Sequence, residues 1–278
     1  MRTPNFKTEE GSILYKDTVG RLISPRVADV LLARARARLL SSDIRRVLDL
    51  GCGPGAVSLP LARGNPQLQV VGVDASAAMI ALARAEAAEC GLQNIQFRQM
   101  DAGRLELPPG AFDLALCNLA YPFFAKPDES MRAVHDLLRP GGQVFFTVPG
   151  RRTWDEFFAV AAAVLGGAAN AARPFLAKFS QAETLPAAMS EAEFVGVTEE
   201  RTLLPFRFAR GEDVLAFFSD LFHLLDHAPP DMKSEIAEAI DVRHPGGFTM
   251  HYDVVLLGGE RGGEAARRGQ APVQDRRG

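Results

Sequence analysis

The sequence predicts an α/β fold: an open sheet, mostly parallel with an antiparallel last strand, helices on both faces and helical segments capping one end. Three features of the chain point there. Short apolar runs alternate with stretches of helical periodicity from residue 46 to about residue 150. That rhythm requires parallel pairing through crossovers. Val47-Leu48-Asp49-Leu50 breaks into Gly51-Cys52-Gly53-Pro54-Gly55, and Ala56 to Ala62 resumes near helical spacing. Strand, glycine turn and helix bring backbone N–H groups up to a ligand, and glycine keeps the approach open. Past Pro149 the rhythm changes to long helical stretches around two further strand-like runs.

In chain order, residues 1–20 carry mixed charge and little periodicity, with Phe6, Ile13, Leu14 and Tyr15 as isolated apolar anchors. Ser24-Pro25 opens a helix with Pro in its first turn. Its apolar side runs through Val27, Val30, Leu31, Leu32 and Leu39, and Arg34, Arg36 and Arg38 make a solvated face. Residues 1–45 are therefore expected to form a lid and a helix, the lid around Tyr15 ordering on ligand binding. Strand one spans about 46–50, and strand two runs from Leu68 to Asp74. A helix from Ser76 to Cys90 is stopped by Gly91. Strand three covers 95–100 and strand four 112–118. A helix over 130–138 is stopped by Arg139-Pro140-Gly141-Gly142, and strand five spans 143–148. Residues 153–194 and 211–240 read as helical. The run 194–208 reads as a strand kinked at Pro205, and 251–257 as the last strand. From 259 on, Gly, Arg, Glu and Gln dominate, and a disordered tail is expected. Residues 46–150 would be the binding core, and 151–258 the cap segments and last two strands of the same domain.

With 278 residues, nearly half of them apolar, the chain can bury a sizeable core. A net charge of −3 argues against a nucleic-acid surface, which needs a basic excess. Cys52, Cys90 and Cys117 form no Cys-x-x-Cys pair, so reduced thiols are expected. The first seven residues hold no apolar signal-peptide core. The most apolar later run, 157–172, is too short to span a bilayer. These points suggest a cytoplasmic protein with no membrane partner, monomeric or homodimeric.

The string Asp49-Leu50-Gly51-Cys52-Gly53-Pro54-Gly55 resembles motif I of the class I S-adenosylmethionine-dependent methyltransferases. An acid aimed into the turn suits a cationic ligand better than a pyrophosphate. The later strand ends strengthen the likeness, which covers roughly residues 40–150. The resemblance implies a Rossmann-like sheet with S-adenosyl-L-methionine as cofactor and S-adenosyl-L-homocysteine as product. It implies that Asp49 and the backbone of Gly51, Cys52, Gly53 and Gly55 meet the methionine portion. Asp74 falls at the spacing where an acid accepts ribose hydroxyls. Ala75 and Met79 would pack beside the adenine, and Asp101 with Ala102 would bond its edge. Asn118 and Leu119 would lie next to the sulfonium, with Tyr15 closing the open side. Other readings exist for three of these acids: Asp74 as a helix cap, Asp101 as a turn acid, Asp49 as a surface acid. Cys52 reads as a small turn residue, not a nucleophile.

No Asn/Asp-Pro-Pro-Tyr follows strand four, which sets aside the amino-methylating DNA enzymes. The tyrosine-rich N-terminal signature of quinone-biosynthesis methyltransferases is not evident. The small-molecule branch remains, and the acceptor is expected to be small and fairly apolar. Methyl transfer is a direct displacement, so the enzyme chiefly aligns and desolvates, and needs a base only if the acceptor must lose a proton. Tyr121 is the best-placed titratable group. His223 and His227 share a helix face, which makes His223 a second candidate. With no third ligand beside them, no metal is expected. His135 reads as a surface residue. The roles of His244 and His251 stay open. Trp154, Phe157, Phe158, Phe175, Phe179, Phe217, Phe218 and Phe222 either line an acceptor pocket or form helix core. Two alternatives to methyl transfer remain. One is a reaction such as a cyclisation that keeps the cofactor bound. The other is a nicotinamide-dependent oxidoreductase, which Asp49 and Asp101 disfavour.

Overall fold

A computed structural model describes residues 8–41, 43–166, 182–221 and 228–263. Among the described residues seven strands form: β1 (Arg46–Leu50), β2 (Gln69–Asp74), β3 (Ile95–Gln99), β4 (Phe112–Asn118), β5 (Leu138–Pro149), β6 (Phe194–Phe208) and β7 (Phe248–Arg261). They form one sheet in the order β3-β2-β1-β4-β5-β7-β6. The first five are parallel, and β7 runs antiparallel to both of its neighbours. The expected architecture is the observed one. The described helices are α1 (Glu9–Asp17), α2 (Val19–Leu22), α3 (Ser24–Leu39), α4 (Ser58–Gly64), α5 (Ala77–Glu89), α6 (Pro127–Leu137), α7 (Asp155–Leu165), α8 (Leu185–Glu191), α9 (Gly211–Asp220) and α10 (Pro230–Arg243).

Strand alternation sorts the side chains into two layers. Leu48, Leu50, Ala115, Cys117, Val144 and Phe146 face α6 and α8, while Val47, Val70, Leu114, Leu116 and Phe145 face α3 and α4. The central strands are buried on both faces and so read as unbroken apolar runs. Where the strands start, Arg139 ties three of them together. Its guanidinium bonds Asp113 and Asp43, both at 2.6 Å, and Asp113 accepts the backbone N–H groups of Arg45 and Arg46. The Arg-Pro-Gly-Gly segment expected before strand five is thus the first part of β5 itself.

Four expectations need adjustment. The N-terminal segment, read as lacking periodicity, is helical, because Thr8 Oγ1 caps α1 at the Gly11 N–H, 3.2 Å away. His135 is buried, not on the surface. Its ring packs edge-on against Phe194 at 5.1 Å, on the face α6 turns toward β6, and burial lowers its pKa. The tail boundary moves. Gly259, Glu260 and Arg261 are strand residues paired with β5 or β6, so only residues beyond 263 lie outside the description at that end. Pro205 does not interrupt β6, because β6 is an edge strand with no ladder partner on that side. Its carbonyl instead accepts from Arg26 at 2.8 Å.

The cap helices α7, α9 and α10 pack with α2, the start of α3 and β7 around Trp154. That ring is 1% exposed and meets Phe206, Phe217, Phe218 and Tyr252 edge-on at 5.0–6.0 Å. Of the aromatic residues with two readings, Trp154, Phe157, Phe158, Phe217 and Phe218 are helix core. Phe175, Phe179 and Phe222 lie outside the described residues.

Candidate active site

The carboxyl ends of β1, β2 and β4, with Tyr15 from α1, enclose a cavity of about 340 Å³. Its base is the glycine turn. Gly51 holds φ +67, and a Cβ there would come within 2.3 Å of the Ala120 Cβ, because the chain leaving β4 presses against the turn. Gly53 holds φ +52, and a Cβ on it would point toward the Tyr15 ring, 3.8 Å away. Both positions require glycine on dihedral grounds, and at Gly51 on grounds of space as well. The Cys52 N–H donates to the Val73 carbonyl at 2.9 Å, prolonging the β1–β2 pairing past Leu50. Its buried thiol has a pKa well above the usual cysteine range, so it acts as filler.

The acids divide the work. Asp49 is 1% exposed and turned away from the cavity. Its Oδ2 accepts from the Ser58 N–H at 3.1 Å and from the Ser58 hydroxyl, bracing the turn against the start of α4. Among the described residues its Oδ1 has no hydrogen-bond partner. Burial raises its pKa to about 7, against the lowering effect of the Ser58 bonds. Asp74 lies on the cavity wall. Its two oxygens accept from the Gly53 N–H at 2.9 Å and the Ser76 N–H at 2.8 Å. Helix α5 is capped by Ser76, whose hydroxyl accepts from the Met79 N–H at 3.3 Å, so Asp74 is not the cap. Asp101, Ala102, Ala75 and Met79 also line the cavity, with the Asp101 carboxylate accepting from the Gly103 N–H at 3.0 Å.

At the far wall, Asn118 and Leu119 are in place, but the Asn118 amide is committed to protein partners: Ser24 on α3 and Thr147 on β5. Leu119 holds φ 56, rare for a residue with a Cβ. Tyr121 is not brought to the cavity. Its ring is 3% exposed, edge-on to Phe124 and Phe146, and burial pushes its pKa up to about 12. A phenol so placed stays protonated and inside the core. His223 and His227 fall outside the described residues. Cys52 and Gly55, like Asp49, are not among the residues that line the cavity. Pro122, Phe123 and Phe124 also line the cavity and escaped the sequence reading, although Tyr-Pro-Phe-Phe three residues past strand four was the signal. Among the described residues no cluster of His, Cys, Asp and Glu has the makings of a metal site.

A cradle that side chains would fill, acids at successive strand tips and an apolar floor fit an adenosine-bearing cofactor. This fold and this cavity make an α/β domain with room for such a cofactor at its strand tips. A family model described as a methyltransferase domain matches residues 47–142. Residues 47–142 are thus similar to a methyltransferase domain, in line with the class I S-adenosylmethionine-dependent methyltransferases that motif I points to. A ubiquinone biosynthesis O-methyltransferase of Pseudomonas aeruginosa is 36% identical over 117 residues, 42% of this chain and 49% of that protein. The chain thus spans about half the length of the curated relatives it matches. Among solved structures, phosphoethanolamine N-methyltransferase 2 of Haemonchus contortus, in complex with S-adenosylhomocysteine, aligns at TM-score 0.58 and 18% identity. That alignment covers 93% of this chain and 58% of that one. The cyclase SpnF aligns at TM-score 0.54 and 22% identity, covering 86% and 80%. At such identities the structures share the fold.

Proposed function

We propose that this chain transfers a methyl group from S-adenosylmethionine to a small, fairly apolar metabolite by direct displacement. The observation that carries the reading is the make-up of the cavity. Its described lining holds acids at Asp74 and Asp101, and apolar or small side chains at the acceptor end. No lysine, arginine or histidine is among them. Such a wall suits an uncharged acceptor beside a cationic cofactor and gives a phosphorylated or carboxylate acceptor no counter-ion.

Asp74 would accept the ribose hydroxyls, and Met79 and Ala75 would pack against the adenine, with Asp101 and Ala102 at its edge. The methionine portion would lie against the backbone of Gly51 and Gly53, in a turn whose Cys52, Gly53 and Gly55 N–H groups are already bonded to Val73, Asp74 and Cys52. Bound there, the cofactor supplies an already activated methyl group. The protein then has to align the acceptor against Leu119, Ala120 and Phe123 and keep water out. The relatives named as O-methyltransferases of ubiquinone biosynthesis bring a hydroxyl acceptor into view, although the N-terminal pattern set those enzymes apart. Such an acceptor must also lose a proton. Among the described residues, neither Tyr121 nor a histidine of the cavity wall is placed to take it. A titration with both cofactor forms, followed by assay of S-adenosylhomocysteine release with apolar phenols and amines, tests the reading. Binding without product would favour the cyclase-like alternative, for which the likeness to SpnF shows a compatible fold.

A further inference from the structure

Four side chains from four elements form one hydrogen-bonded line beside the cavity. Thr147 Oγ1 on β5 donates to Asn118 Oδ1 on β4 at 2.8 Å. Asn118 Nδ2 donates to the Ser24 hydroxyl oxygen at 3.1 Å and to the Ser24 carbonyl at 3.1 Å. The Ser24 hydroxyl is in turn hydrogen-bonded to the hydroxyl of Tyr15. Ser24, Asn118 and Thr147 are buried. Ser24 begins α3 and Tyr15 belongs to α1, so the line crosses from the sheet to the N-terminal segment that roofs the glycine turn.

We infer that Ser24 is a positioning residue of the cofactor site: its hydroxyl fixes Tyr15 over the glycine turn in register with the tips of β4 and β5. This rests on the reading of the cavity as the S-adenosylmethionine site. With its oxygen accepting from Asn118, Ser24 gives its own proton to the Tyr15 oxygen. Burial raises the phenol's pKa to about 12, so it stays protonated at neutral pH, and Tyr15 lines the cavity. The same line governs the opposite wall. The Leu119 N–H donates to the Thr147 carbonyl at 3.0 Å and to its hydroxyl at 3.3 Å. These bonds hold Leu119 in its left-handed backbone conformation. A non-glycine residue persists in that conformation only where its surroundings over-determine it, and such residues gather at functional sites. Roof and wall are thus set by one set of hydroxyls. The Asn118 amide, expected beside the sulfonium, serves this line instead.

Ser24→Ala is the direct test, read by calorimetric titration with S-adenosylhomocysteine beside a thermal melt. Asn118 keeps the Ser24 carbonyl as acceptor, so the variant is expected to fold, with affinity about tenfold weaker. Tyr15→Phe cuts the line from the other side. The double variant should then bind no more weakly than Tyr15→Phe alone, because both changes break one connection. A merely structural Ser24 would lower the melting temperature, and the two affinity losses would multiply. Unchanged affinity in Ser24→Ala, or multiplied losses, overturns the inference while leaving the cofactor reading standing. Failure of the wild-type protein to bind either cofactor form overturns both. Should Ser24→Ala not fold, Thr147→Val paired with Tyr15→Phe reads the same line from its ends: non-additive losses support it, and independent ones refute it.

Discussion

Replacing Asp74 by alanine should nearly abolish cofactor binding and leave a folded protein. On the proposed reading the carboxylate has two tasks, one inside the protein and one toward the ligand, which two measurements separate. Inside the protein it accepts the Gly53 N–H at 2.9 Å and the Ser76 N–H at 2.8 Å, pinning the glycine turn to the end of β2. The Gly53 N–H lies at the half-buried cavity rim, where water replaces the lost acceptor, whereas Ser76 is buried and its N–H loses its partner. The cost to stability is about 1–2 kcal/mol, a fall in melting temperature of roughly 2–8 °C for a chain of this size. Toward the ligand, the two charge-assisted bonds to ribose hydroxyls proposed above would each be worth about 1.5–3 kcal/mol. Their loss weakens binding by roughly 10²- to 10⁴-fold, at about 1.4 kcal/mol per decade. Calorimetric titration with S-adenosylhomocysteine reads the second effect, and a circular-dichroism melt the first. Asp74→Asn keeps the size and part of the acceptor capacity and should fall between wild type and Asp74→Ala in both measurements. If Asp74→Ala binds within about threefold of wild type, the ribose assignment is wrong, and the carboxylate serves the turn alone.

Gly51→Ala combines a left-handed backbone with a Cβ only 2.3 Å from that of Ala120. It should cost about 2–4 kcal/mol in chemical denaturation; a cost under 1 kcal/mol would show that the turn and Ala120 can separate freely. Asp49 gives a pH signature. Its carboxyl is raised from 3.8 unfolded to about 7 folded, so between those values the native state holds a proton the unfolded chain has lost. Stability linked to this group is therefore fully present below about pH 4 and declines to about pH 7, by at most on the order of 4 kcal/mol. Asp49→Asn, neutral throughout, should gain melting temperature over wild type at pH 8 and much less at pH 4.5; equal differences at the two pH values would contradict the buried, raised carboxyl. Ending the chain at Gly258 removes the pairings of Gly259, Glu260 and Arg261 with β5 and β6, and the Arg261 bonds to the Leu138 and Asp136 carbonyls. A clear drop in melting temperature is expected, and an unchanged melt would return these residues to a dispensable tail.

Strands β1, β2 and β4 were legible because each is short, apolar and bounded and is buried on both faces. Strand four was read to its residue limits, 112–118, and strand six likewise at 194–208. What escaped has definite causes. Helix α1 lacks an apolar stripe, and only its Thr8 cap and the docking of Tyr15 reveal it. His135 looked solvated beside Asp136, because its burial comes from Phe194, a partner 59 residues later that no local pattern announces. Tyr121 looked available because it follows strand four. The chain turns there in a short 3-10 segment, which directs its ring inward and leaves Phe123 and Phe124 on the cavity side.

The cofactor motif was legible as a set of residues, but the work of each side chain was not, and the reason is physical. Each polar group at a strand tip already has an employer within the protein: Asp49 holds Ser58, Asp74 holds Gly53 and Ser76, Asp101 holds Gly103, and Asn118 holds Ser24. A cavity that must bind without first reorganising has to be built this way, with its turn fixed by bonds that exist before the ligand arrives. The same acid is then required by the fold and by the ligand, and a motif cannot distinguish the two demands. Exposure to the cavity can. Asp74 and Asp101 face it, while Asp49 and the Asn118 amide serve the frame behind it. Substitutions at Asp74 should therefore lower affinity far more than stability. Those at Asp49 should change stability and its pH dependence first, and affinity only through the turn that Asp49 braces.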